Sequence, residues 1–68
     1  MKISARNQLK GRIVEIAKGA TTAHVRIDIG GAIVTSSITN AAVDDLGLAV
    51  GKDAYAVVKA SDVMIAID

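Results

Sequence analysis

The 68-residue chain has no cysteine, no proline, no tryptophan and no phenylalanine; Tyr55 is its one aromatic residue and His24 its one histidine. Without cysteine there is neither a disulfide framework nor a thiolate metal site. One histidine cannot assemble a zinc cluster. Nucleophilic catalysis has no base to rest on, and the neighbouring carboxylates Asp44 and Asp45 point apart on a helix instead of facing one substrate. The chain is therefore expected not to be an enzyme. A net charge of +1 and a single aromatic leave no basic groove with stacking platforms, so nucleic acid is not an expected partner. No apolar run approaches the roughly 20 residues that span a bilayer. The polar opening, Met1 to Lys10, has no apolar secretory region. A cytoplasmic protein without a membrane partner is the expectation.

Hydrophobic residues make up 51% of the chain, supplied almost wholly by Val, Ile, Leu and Ala. Such a core is thin, because these side chains bury less area than aromatics. Small folds are usually reinforced by a disulfide, a metal or self-association. With the first two excluded, a homo-oligomer is expected. The chain reads as one continuous domain, 1–68, without linker or repeat.

Strict alternation over Ala23 to Ile29 predicts a half-buried strand, with Val25, Ile27 and Ile29 on one face and His24, Arg26 and Asp28 on the other. Gly30-Gly31 predicts a tight hairpin and Ala32 to Ile38 the return strand. Upstream, Gln8 to Ala17 predicts a long strand with a bend at Gly11. Thr39 suits a helix N-cap and Gly47 a C-terminal stop, so a two-turn helix is expected over Asn40 to Leu46. Two last strands are expected over Ala54 to Lys59 and Val63 to Ile67, divided by Ala60-Ser61-Asp62. Their apolar residues fall on both faces, which predicts a second burial at a subunit interface. The order matches an all-β, five-stranded OB-like barrel with one short helix between strands 3 and 4.

The residues left to carry chemistry are donors. Ser4 and Arg6 stand two apart and share a face if their segment is extended. Lys59 closes a strand. Thr39 opens a helix whose first N–H groups, those of Asn40, Ala41 and Ala42, have no intrahelical partner. Free donors and positive charge suit an acceptor-only tetrahedral oxyanion. The same features also fit a solvated strand beside a capped helix.

The opening string Met1-Lys2-Ile3-Ser4-Ala5-Arg6-Asn7-Gln8-Leu9-Lys10-Gly11 resembles that of the molbindin (Mop) family, the small molybdenum–pterin-binding proteins. So do Ile38-Thr39-Asn40-Ala41-Ala42, Leu46-Gly47-Leu48 and Val57-Val58-Lys59-Ala60-Ser61-Asp62-Val63-Met64-Ile65. This resemblance covers essentially the whole chain. It implies an OB-like barrel assembled as a hexamer, a trimer of dimers. It implies molybdate or tungstate held as an oxyanion at subunit interfaces by hydrogen bonds, with no direct metal ligation by protein. Ser4, Arg6 and Lys59 match the family's main site, flanked by Ala5, Asn7, Ala60 and Ser61. Thr39 and Ala42 match contacts from a neighbouring subunit; some relatives carry serine at the latter position, where this chain offers only a backbone N–H. The loop Gly19-Ala20-Thr21-Thr22 is the expectation for a second site. A single motif copy, without a DNA-binding helix-turn-helix or an ATPase, points to storage or homeostasis. The alternatives are a ligand-free oligomerisation module, an OB domain for nucleic acid, and a pterin carrier, for which the chain offers little aromatic or apolar slot.

Overall fold

A computed structural model describes every residue from Met1 to Asp68. Four antiparallel strands form one sheet: β1 (Asn7–Lys18), β2 (Thr22–Asp28), β3 (Ile33–Thr39) and β4 (Asp53–Val58). Their spatial order is β3-β2-β1-β4. A short helix, α1 (Asn40–Asp45), follows β3, and a 3₁₀ turn (Ala60–Asp62) follows β4.

The long β1 organises the sheet because its two halves pair with different strands. Asn7 to Arg12 run against β4, from Asn7↔Val58 to Arg12↔Asp53. Arg12 to Lys18 run against β2, from Arg12↔Asp28 to Lys18↔Ala23. Gly11 lies at the crossing. A Cβ there would stand 2.3 Å from the carbonyl oxygen of Asp28, so only glycine lets the two backbones approach. A register shift between Ile13 and Glu15 makes Val14 the extra residue of a bulge. Ile13 is fully buried and Ile16 packs against the core, whereas Val14 is turned out.

At the β2–β3 end, Gly30 and Gly31 both have positive φ and occupy the tight turn as expected. The Asp28 carboxylate accepts from the Gly30 N–H at 2.9 Å. Helix α1 begins at Thr39, whose Oγ1 accepts from the Ala42 N–H at 3.0 Å. It ends with Gly47 N–H donating to Asp44 O and Leu48 N–H to Val43 O, with Gly47 left-handed. This is the Schellman arrangement, common where a helix terminates in glycine. Val43 is the helix residue that enters the core.

That core is small. Ile13, Ala23, Val25, Ile27, Val43 and Ala56 are the only buried residues of 68. The architecture is mostly β, as expected, but the expected fifth strand is absent. Residues 63–68 join no strand ladder, and Met64, Ile65 and Ile67 are 87–92% exposed. The reason is that a strand needs a partner as well as a pattern. The 3₁₀ turn ends β4, and the tail finds no ladder within its own chain. With β3 and β4 both at sheet edges, the barrel stays unclosed between them. An apolar groove of about 400 Å³ adjoins that opening, with Val25, Ile27, Ala56, Ile38, Leu48 and Met1 among its walls.

Candidate functional site

Antiparallel pairing of Asn7 with Val58 sets the chain before β1 beside the chain after β4. The two segments border a cleft of about 440 Å³, lined by Ile3, Ser4, Ala5, Arg6, Lys59, Ala60 and Ser61. Six of these residues are those expected from the sequence. Asn7 begins β1 just beside the cleft and is not part of its lining. Ile3 is the addition; its apolar neighbour-of-serine position gave no chemical signal.

The electrostatics are one-sided. Arg6 and Lys59 are both cationic, no carboxylate lines the cleft, and neither cation forms an ion pair. The only ion pairs, Lys18–Asp44 at 2.8 Å and Arg26–Glu15 at 3.2 Å, involve other residues. Lys59 is also the residue before the 3₁₀ turn, and no side chain caps that turn. Its first N–H groups are thus free of a side-chain acceptor. Ser4 and Ser61 add hydroxyls. The cleft offers charge, N–H and O–H donors without a competing anion, which is the donor set an oxyanion needs.

The other expected residues lie elsewhere. Thr39 ends β3, at the opposite edge of the sheet from β4, and pairs with Thr22 near the Lys18 end of β1. Within one subunit it is not brought to the cleft. The expectation of free N–H groups at the start of α1 is corrected at two positions. Ala42 N–H is taken by Thr39 Oγ1, and Asn40 N–H donates to Thr21 O at 2.9 Å. A hydroxyl that accepts one hydrogen bond still has its own proton to donate, so Thr39 stays a usable donor. The loop Gly19-Ala20-Thr21-Thr22 is bound to this helix start, not separate from it. Gly19 N–H donates to Thr22 O at 2.7 Å, and Asn40 Nδ2 donates to Gly19 O at 3.0 Å. Asn40 was expected only as a backbone donor; its side chain, which ties loop to helix, was missed, and its place after the N-cap was the available sign.

The TOBE domain model matches residues 3–65, nearly the entire chain. This chain belongs to the TOBE-domain family, in its molbindin (Mop) branch. The TOBE domain here is 54% identical over 69 residues to a probable molybdenum-pterin-binding protein of Haemophilus influenzae, covering all of both chains. Its fold superposes with a TM-score of 0.93 on a molybdate-binding protein from Sporomusa ovata, at 37% identity, covering 98% of this chain and all of that one. It also superposes, with a TM-score of 0.89 and 43% identity, on ModG, described as a cytoplasmic molybdate-binding protein and solved with molybdate bound. That match covers 94% of this chain and 46% of ModG. These relatives are named for binding, not for catalysis. No helix of this TOBE domain is long and apolar enough to cross a membrane.

Proposed function

We propose that this TOBE domain is a non-enzymatic molybdate- or tungstate-binding protein of the cytoplasm that serves storage or homeostasis. One observation carries the reading: Arg6 and Lys59, both without a carboxylate partner, share a cleft with Ser4 and Ser61. Two neighbouring exposed cations are compensated by a doubly charged tetrahedral anion. Charge-assisted hydrogen bonds of this kind are roughly twice as strong as neutral ones. Ala5, Asn7 and Ala60 set the backbone around those donors.

The cleft is open on one side, and a second subunit closes it. Thr39 of a neighbouring copy supplies its hydroxyl proton, held in place by the Ala42 N–H that the same oxygen accepts. The Gly19–Thr22 loop buttresses that neighbour's helix start through Asn40. Self-association is supported by the six-residue core, too small for a comfortable monomer, and by apolar Met64, Ile65 and Ile67 standing in solvent. Val63, Ile65 and Ile67 alternate as one face of a strand, and the groove between β3 and β4 is an apolar seat for it. The tail of one copy thus completes the barrel of another. A hexamer built as a trimer of dimers is the assembly proposed.

Native mass spectrometry with and without sodium molybdate tests both parts. The expected result is a hexamer that gains discrete anion masses. A monomer with or without molybdate, or a hexamer that takes up none, would overturn the reading. The second of these results is what a ligand-free oligomerisation module would give.

A further inference from the structure

The rear wall of the cleft and the root of the tail are the same short segment. Lys59, Ala60 and Ser61 line the cleft. Asp62 N–H donates to Lys59 O at 2.9 Å, and Val63 N–H, the first of the tail, donates to Ala60 O at 3.3 Å. Whatever fixes this turn therefore fixes two things at once: where the donors of Lys59 and Ser61 stand, and in which direction the tail departs. No side chain caps the turn, so its orientation is held by those two backbone bonds and by its neighbours.

The tail has a seat to reach. Six extended residues span about 20 Å, the length of the six-residue β4 that borders the groove. Its β-branched face, Val63, Ile65 and Ile67, matches a groove floored by Val25, Ile27 and Ala56. Fixing the orientation of an uncapped turn costs conformational entropy. If an anion in the cleft has already ordered it, tail docking bears less of that cost, and the reverse holds equally.

Resting on the anion-binding reading above, we propose that oxyanion occupancy of the cleft and docking of the Val63–Asp68 strand into a second copy are coupled through the Lys59–Asp62 turn. Bound oxyanion thereby regulates how firmly subunits exchange their C-terminal strands. Linkage makes the effect reciprocal: the factor by which molybdate tightens the tail is the factor by which a docked tail tightens molybdate.

Amide hydrogen exchange of Met64 to Ile67 in the full wild-type assembly tests this directly, with sodium molybdate as the probe. Saturating molybdate is expected to slow exchange of these amides about tenfold or more. A variant with Gly-Gly inserted between Asp62 and Val63 separates the turn from the strand. It is expected to keep its subunit number, lose the molybdate-dependent protection, and bind molybdate about tenfold more weakly. Tail exchange that ignores molybdate overturns the coupling, as does an insertion variant with full protection and wild-type affinity. If the insertion disrupts assembly, the wild-type exchange data decide alone. Calorimetry on the wild type separates the two ideas. Molybdate binding by the wild type that Arg6→Ala weakens but that leaves the tail indifferent sinks only the coupling, whereas no binding by the wild type sinks the site as well.

Discussion

The two ends of β1 stand in opposite hydrogen-bonding situations. At the Lys18 end several polar groups are joined to one another within the subunit, although Asn40 Oδ1 is buried without a hydrogen-bond partner. Lys18 pairs with Asp44, Thr39 caps Ala42, Asn40 reaches Gly19 and Thr21, and Gly19 closes on Thr22. At the Asn7 end, Arg6 and Lys59 face one cleft with no acidic partner. The first end is scaffolding: its donors are spent on holding loop, helix and strand together. At the second, the β1–β4 ladder ends beside side-chain donors that make no hydrogen bond within the subunit. Neighbouring cations without an acidic partner add nothing to the stability of the subunit, so replacing either should cost little in folding.

That contrast can be broken in order of expected effect. Arg6→Ala should weaken molybdate binding about 30-fold, equivalent to about 2 kcal/mol, by removing a charge-assisted donor. The unfolding temperature of the ligand-free protein should hardly move, because Arg6 makes no ion pair within the subunit. Isothermal calorimetry beside a thermal melt reads both, and unchanged affinity would mean that the anion binds elsewhere.

Lys59→Gln should follow, with about tenfold weaker binding, since the amide keeps a donor but loses the charge. A competition titration against the wild type is sensitive enough, and the curve should sit between those of wild type and Arg6→Ala. Thr39→Ala affects the opposite end. Loss of the cap should cost about 1 kcal/mol of stability, a fall in melting temperature of about 4–8 °C. Thr39→Ser should restore it. If Thr39 also donates to a neighbour's anion, the alanine variant binds more weakly and the serine variant does not. Asp44→Asn should produce the smallest change, under about 0.5 kcal/mol, because the Lys18–Asp44 pair is exposed. Melts at low and high salt should show even that difference fading as screening increases. A drop of several degrees from Asp44→Asn would mean that the scaffold end is held electrostatically.

Much of this was readable from local rules. Alternation over β2, the Gly30-Gly31 turn, the Thr39 cap and the Gly47 stop are each set by residues a few positions apart. The cleft was readable only through the resemblance of its motifs, because Ser4 and Lys59 lie far apart in sequence and meet through the Asn7↔Val58 pairing. Free N–H groups at the start of α1 were misjudged at Asn40 and Ala42. A lack of intrahelical partners does not mean a lack of partners, and Thr21 O comes from a loop that sequence spacing does not bring near. The Val63–Ile67 strand was misjudged for its own chain in the same way. Its pattern is that of a strand, and its ladder is not present in the subunit.

By itself the sequence determined the elements whose causes are local: which faces are apolar, where the chain turns, and where the one helix starts and stops. It also determined, by omission of cysteine and of nearly all aromatics, that neither disulfides nor a large aromatic core could hold this chain. Only the tertiary structure decided which donors are spent and which are available. A hydrogen bond is satisfied by whatever lies within about 3 Å, and that neighbour is chosen by the packing of strands, not by position along the chain.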